Sequence, residues 1–192
     1  MWRILLQIGV CVLLIGFSEL GFAAEPLAYD QPKISAAAMY QKWASVQSSD
    51  IVAHAKKAAA AVLQNREKAF AQFSDPYNQT WWPNPPFFSP VFVIRCDEMR
   101  VLTHIYPSFL AQYGKHDAMI HFKDLKGKHS FFDLCTEVLK HPNQPQWSQQ
   151  YHFWPGASEP VWMHLLAYPV KGTPYAIQAY YVTPNLDFSA PN

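Results

Sequence analysis

Histidine and cysteine are the residues of this chain that could bind a metal or act as a nucleophile. The eight histidines are scattered, and no pair has the His-x-x-x-His spacing that places two ligands on one helix face. The sequence also lacks Cys-x-x-Cys. His116 and His121 flank a loop with Asp117, but satisfied histidines explain this pattern better than a metal site does. We therefore predict neither a metal site nor a cofactor.

The sequence contains none of the common motifs of hydrolases or nucleotide-binding enzymes. It has no Gly-x-Ser-x-Gly elbow, no glycine-rich phosphate loop and no dinucleotide fingerprint. Cys96 or Cys135 could act as a nucleophile beside a histidine. In an exported protein, a disulfide or two inert buried thiols is the more economical interpretation. We therefore expect no catalytic activity.

The strand predicted at Gln149–Trp154 is the best candidate for a binding surface. Its side chains alternate between two faces. One face carries Gln149, Tyr151 and Phe153, and the other carries Gln150, His152 and Trp154. Each face combines aromatic rings with polar tips, as the walls of small-molecule clefts do. An ordinary half-buried strand has the same pattern, so both interpretations remain open.

The N-terminus has the pattern of a secretory signal peptide. A basic start at 1–3 precedes the apolar run Ile4–Phe17, and Gly21 and Ala23 place small residues before a cleavage site. Cleavage after Ala23 or the next alanine is expected. The apolar run is shorter than the ~20 residues that span a bilayer, which argues against a membrane anchor. We therefore predict a periplasmic or secreted protein with no stable membrane insertion.

The rest of the chain suits one domain. We expect a signal peptide at 1–24, a flexible arm at 25–33, a domain at 34–184 and a polar tail at 185–192. The net charge is +1, with 15 basic and 14 acidic residues. This balance argues against nucleic acid or an anionic membrane surface as the main partner. A small-molecule ligand is the partner that we expect.

Cys96 and Cys135 are the two cysteines beyond the predicted cleavage site. They form either a disulfide or two buried thiols that pack as small hydrophobes. Cys96 ends a predicted strand and Cys135 lies inside a predicted helix. They can therefore pair only where those two elements touch.

Hydrophobic periodicity predicts two helices, a hairpin, a strand, a helix and three further strands. The helices are predicted at Ile34–Gln47, Ile51–Phe73 and His129–Lys140. The strands are predicted at Val91–Cys96, Arg100–Ile105, Met119–Phe122, Gln149–Trp154, Val161–Val170 and Tyr175–Val182. This order predicts an α+β fold, an antiparallel sheet with helices on one side.

The segment Trp81–Phe88 is dense in aromatic residues and proline. As a connector, it would pack its rings onto the domain. As a docking strip, it would make the protein an interaction module that binds a membrane-bound sensor or another protein. The connector is the simpler interpretation, and the interaction module remains the alternative function.

The stretch Val91–Val182 resembles the single Cache domain, the PAS-like extracytoplasmic sensor module of bacteria. The matching pieces occur in the family's order. They are the strand ending at Cys96-Asp97, a second strand ending at His104-Ile105-Tyr106-Pro107, Lys123-Asp124-Leu125-Lys126-Gly127-Lys128 before a helix, Trp147 with Tyr151-His152-Phe153, and Pro155-Gly156 before two closing strands. The long helix predicted at Ile51–Phe73 fits as well.

The resemblance implies N-terminal helices packed on a PAS-like antiparallel sheet, and a small molecule bound without turnover. The pocket residues that it implies are His104, Tyr151, Phe153 and Met163. Tyr151 would present its hydroxyl group and the others would form walls. The family often has a lysine where this chain has Met163, and its loss would weaken recognition of an anionic ligand.

Overall fold

Three helices precede the sheet in the described part of the chain, and one helix divides the sheet's strands. The computed structural model describes residues 33–82, 90–103, 122–153 and 156–184. The elements are α1 Ala36–Trp43, α2 Ser48–Gln64, α3 Arg66–Phe73, β1 Phe92–Arg95, β2 Arg100–Val101, α4 Ser130–Lys140, β3 Gln146–Phe153, β4 Pro160–Pro169 and β5 Tyr175–Val182. The predicted signal peptide, the polar tail and the flexible arm except Lys33 lie outside the described residues. So does the strand predicted at Met119–Phe122, except Phe122, which is not in a strand.

The single helix predicted at Ile51–Phe73 is two helices, because Asn65 interrupts it. Asn65 has extended backbone angles, φ −157° and ψ 94°. Its side-chain oxygen accepts a hydrogen bond from the backbone N–H of Lys68 at 3.1 Å, which caps the start of α3. Asparagine is among the strongest N-caps. The side chain of Asn65 therefore replaces one of the backbone hydrogen bonds that the break removes.

The five strands form one antiparallel sheet in the order β2-β1-β5-β4-β3. The predicted hairpin of β4 and β5 is present, and Gly172 in its turn has φ 74°, a conformation that glycine adopts easily. Gln178 on β5 lies opposite Phe92 on β1 and Ala167 on β4. Met163 on β4 lies opposite Gln150 on β3. The α+β class with an antiparallel sheet is confirmed.

Helices cover both faces of the sheet, whereas the sequence predicted helices on one side. Paired residues share a face, so Phe92, Gln178 and Ala167 lie on the same face. The ring of Phe131 on α4 is 6.0 Å from the ring of Phe92, which places α4 on this face. We call it the α4 face.

The opposite face carries the side chains that alternate with those of the α4 face. There Tyr175 meets Phe70 of α3 at 5.8 Å, and Tyr168 lines a surface groove with Ala59 and Ala60 of α2. Helix α2 packs against β4 and β5. We call this the α2 face. The N-terminal helices therefore contact the sheet as predicted, with α2 and α3 on the α2 face, and α4 covers the other side.

Asp124 ties the turn before α4 to strand β3. Its side chain is only 6% exposed. One carboxylate oxygen accepts hydrogen bonds from the backbone N–H groups of Lys126 and Lys128, each at 2.8 Å. The other accepts from the N–H of Tyr151 at 3.0 Å. The Lys123–Lys128 motif of the sequence is therefore a turn anchor that positions the start of α4.

A disulfide joins Cys96, just after β1, to Cys135 in α4. The Cα atoms are 5.0 Å apart, and the sulfur atoms are 2.18 Å apart. The sequence left a disulfide and two free thiols open, because it could not show whether the strand and the helix touch. They do touch, and the bond fastens α4 to the α4 face.

Asp124→Ala should lower the free energy of unfolding by about 3 kcal/mol, because three backbone N–H groups lose a charged acceptor. Asp124→Asn should cost less, since its single carbonyl oxygen can still accept. Asp133→Ala, at an exposed position on α4, is the control and should stay within about 0.5 kcal/mol of the parent protein. Urea denaturation measures all three. An Asp124→Ala protein as stable as the control would contradict the anchoring role.

Replacing Cys96 and Cys135 together by alanine should lower the free energy of unfolding by about 4 kcal/mol. The bond closes a loop with a sequence separation of 39, and this value follows from the chain-entropy relation for that length. Guanidinium denaturation in non-reducing buffer measures the difference. Reduction of the parent protein should give the same midpoint as the double variant. Equal midpoints for the double variant and the oxidised parent would show that the bond adds no stability.

Candidate functional site

Strand β3 has one deeply buried face and one open face. Gln150 and His152 are 2% and 3% exposed, whereas Phe153 is 47% exposed. The alternation predicted for this strand is therefore confirmed over Gln150–Phe153, and Trp154 lies outside the described residues. The buried side chains lie on the α4 face, because Gln150 pairs with Met163 and His152 pairs with Val161 on β4.

The four residues expected to form the pocket are not brought together within the described residues. Met163 is buried on the α4 face, directly opposite Gln150. Tyr151 and Phe153 alternate onto the α2 face. There Tyr151 packs against the ring of Trp162 at 4.9 Å. His104 lies outside the described residues.

Gln178 on β5 is the polar side chain of the α4 face that sequence reasoning missed. It is 1% exposed, and within the described part of the chain neither its amide nitrogen nor its amide oxygen has a hydrogen-bond partner. Ala167 lies opposite it on β4, and Ala176 precedes it by two residues on the same face. A lone glutamine inside the apolar strand Tyr175–Val182 is the signal that could have identified it.

Two further buried polar atoms without a hydrogen-bond partner lie near Tyr180. They are the side-chain oxygen of Ser148 and the indole nitrogen of Trp43. Ser148 pairs with Leu165, which pairs with Tyr180, so these three side chains share the α4 face. The rings of Trp43 and Tyr180 are 6.2 Å apart. Like Gln178, these groups are uncharged.

His152 adds an imidazole to the same face. Its ring meets the ring of Phe122 edge to face at 4.6 Å. Burial lowers the pKa of His152, and the nearby carboxylate of Asp124 offsets part of that effect. The ring is therefore neutral at neutral pH, with one nitrogen that donates and one that accepts.

The buried polar groups of the α2 face, by contrast, satisfy one another. Nε2 of His164 is 3.2 Å from the amide nitrogen of Gln149, and Nδ1 is 3.0 Å from the hydroxyl of Tyr181. An amide nitrogen only donates, so Nε2 accepts and Nδ1–H donates to Tyr181. Burial raises the pKa of Tyr181, which keeps this hydroxyl protonated. This face therefore holds a closed structural network.

The two tryptophans that begin the predicted docking strip are part of the core. Trp81 packs edge to face on Phe73 at 4.8 Å, and its ring lies 5.6 Å from His54. The indole N–H of Trp82 donates to the carbonyl of Phe73. Both tryptophans therefore act as the connector interpretation expects. Residues 83–88 of the strip lie outside the described residues.

Neither a metal-binding group nor a membrane span is found in the described part of the chain. None of its clusters of histidine, cysteine, aspartate or glutamate has the three members needed to hold a metal ion. Among the described helices, none combines the length and the apolar character that crossing a membrane requires.

Comparison with known proteins gives likenesses to solved structures, and two of them are informative about the kind of domain. No family model and no curated protein match the chain. One similar structure is described as the periplasmic sensor domain of a chemotaxis protein. It is 13% identical, covers 69% of this chain and 87% of its own, and has a TM-score of 0.46.

The second structure is described as a Cache chemosensory domain that recognises carboxylic acids. It is 18% identical, covers 76% of this chain and 93% of its own, and has a TM-score of 0.41. Both are described as sensor domains.

Stability should fall as the pH drops from 6.5 to about 4, and His54 should contribute to that fall. Burial, with a smaller effect from Lys57, lowers the pKa of His54 from 6.5 to about 4. The unfolded chain therefore binds more protons than the folded chain in this window, so acid favours unfolding. Melting temperatures across this window measure the slope.

His54→Gln should make that slope shallower, because glutamine does not titrate and position 54 then no longer adds to the pH dependence of stability. His152 acts in the same direction, so the variant keeps part of the slope. Identical slopes for the parent and His54→Gln would count against a buried neutral imidazole at position 54.

Proposed function

We propose that this chain is an exported sensor-type protein that binds a small molecule on the α4 face without catalysing a reaction. The ligand would lie against the uncharged polar side chains of β3 and β5, with Gln178 as the central contact. Gln150, His152 and Met163 would form the neighbouring wall. Met163 is the pocket residue expected from the sequence that lies on this face.

Gln178 is the observation that carries the proposal. A buried amide with no partner costs about 1–3 kcal/mol for each unsatisfied group, and more than 90% of buried polar groups in proteins are satisfied. Among the described residues, Gln149 and His164 on the opposite face are hydrogen-bonded to each other, whereas Gln178 has no partner. A bound polar molecule would supply the missing hydrogen bonds.

The residues around Gln178 also favour a ligand. Both of its alanine neighbours on the α4 face, Ala167 and Ala176, end at Cβ. Neither can reach the amide of Gln178 with a polar group. Phe92 on β1 supplies an aromatic ring on the remaining side of the same row. Apolar walls around a few polar groups are typical of small-molecule sites.

Export is supported by two independent features. The N-terminus has the charged, apolar and small-residue order of a signal peptide. The Cys96–Cys135 disulfide is of the kind that forms and persists in oxidising compartments. Together they favour a periplasmic or secreted location.

Gln178→Met should raise the free energy of unfolding by about 1 kcal/mol, because a similar apolar side chain replaces an unsatisfied amide. The same variant should lose ligand binding. Urea denaturation measures the first effect. A thermal-shift screen with amino acids, organic acids, amines and nucleobases measures the second, since a ligand at a hundredfold excess over its Kd adds about 2.7 kcal/mol.

Gln149→Met is the matched control, with the same substitution on the α2 face. It removes the bond to His164 and should therefore lower stability while ligand binding persists. A flat screen on well-folded parent protein would refute small-molecule binding. A loss of stability in Gln178→Met similar to that of the control would show that the amide of Gln178 is a structural group.

A further inference from the structure

We infer, on the basis of the proposed function, that the ligand is an uncharged molecule whose hydrogen-bond donor and acceptor lie side by side, as in a carboxamide, lactam or imide. This edge would pair with the side-chain amide of Gln178 through two parallel hydrogen bonds.

The chemistry of Gln178 demands both kinds of partner. Its nitrogen donates and its oxygen accepts, in a fixed planar arrangement, and neither atom has a hydrogen-bond partner among the described residues. A ligand carboxylate only accepts, so it would satisfy the nitrogen and leave the oxygen buried without a donor. An ammonium group only donates and leaves the nitrogen unsatisfied. An amide edge satisfies both atoms at once.

The charge of the α4 face leads to the same class of ligand. The described side chains that alternation places on this face of the sheet include no lysine, arginine, aspartate or glutamate. They are Phe92 and Ile94, Val101, Gln146, Ser148, Gln150 and His152, Val161, Met163, Leu165, Ala167 and Pro169, and Ala176, Gln178, Tyr180 and Val182. A buried ion needs a partner of opposite charge, whereas a buried amide needs only hydrogen bonds.

The buried carboxylate of Asp124, next to β3, already accepts hydrogen bonds from the protein backbone. Both oxygens of Asp124 accept backbone hydrogen bonds, from Lys126 and Lys128 on one side and Tyr151 on the other. The ring of His152 is neutral at neutral pH, as its burial requires. The two buried atoms near Tyr180 that have no partner among the described residues, on Ser148 and Trp43, are uncharged as well. The face is therefore suited to a neutral polar molecule.

Matched amide and acid pairs test the inference on the full purified protein. The probes are nicotinamide with nicotinate, benzamide with benzoate, and succinamide with succinate, and uracil supplies an imide edge. Thermal shift and calorimetry should show that at least one amide or imide probe binds. Its acid partner, where it has one, should bind at least tenfold more weakly.

The variants show where the probe binds. Binding of the amide probe should weaken at least tenfold in Gln178→Met, with Gln178→Leu as a second apolar replacement if the first does not fold. It should persist in Gln149→Met, where the amide lost is on the α2 face. A probe that binds Gln178→Met as well as the parent protein would overturn the inference.

The remaining outcomes separate the inference from the proposed function. If acids bind and amides do not, and Gln178→Met abolishes that binding, the ligand class is wrong while the site stands. If no amide or imide probe binds but another compound class shifts the melting temperature, the inference fails and small-molecule binding survives. If nothing binds, both fail.

Discussion

Strand β4 is hydrogen-bonded along its length to β3 on one side and to β5 on the other, and the register of these two ladders organises the protein. Because side chains alternate along a strand, one register assigns every residue of the three strands to a face. If the register of a strand shifted by one residue, its side chains would move to the opposite face, so Gln150, Met163 or Gln178 would leave the α4 face. The separation of the two faces, and with it the candidate site, depends on this pairing.

Helix α4 turns one of these faces into an enclosed surface. It is held at its start by the Asp124 turn and by a hydrogen bond from the Ser130 hydroxyl to the carbonyl of Gln149. The disulfide of Cys135 holds it further along. Anchors at separate points restrict the movement of the helix over the sheet. Polar groups beneath α4 are therefore kept from water, and unsatisfied groups there carry a cost.

The two faces of the sheet differ in whether their polar side chains are hydrogen-bonded, and this difference is the basis of the functional proposal. On the α2 face, Gln149, His164 and Tyr181 satisfy one another and stabilise the fold. On the α4 face, Gln178 is buried among apolar neighbours with both amide atoms unpaired. Buried polar groups without hydrogen bonds lower stability, and such a cost is expected where a protein binds a ligand.

The elements of the fold followed largely from local pattern. Alternation located β3, β4 and β5 to within a few residues, and the Lys171–Pro174 turn between two apolar runs marked their last hairpin. The break at Asn65 was missed, because the apolar stripe continues from α2 into α3 and a single cap residue carries little weight against it. The disulfide stayed open, since sequence spacing does not show whether a strand end meets a helix.

The sequence by itself determined that β3 has two different faces, because alternation is a property of the backbone. Only the tertiary structure decided which face is buried, because that depends on where α4 packs. This is why Tyr151 and Phe153 were expected beside Met163, while the structure places Gln150 there instead. Gln178 stood in the sequence as one polar residue in an apolar strand. Its missing partners became visible only once the neighbouring strands and α4 had buried it, since hydrogen bonding and solvent access depend on contacts between distant segments.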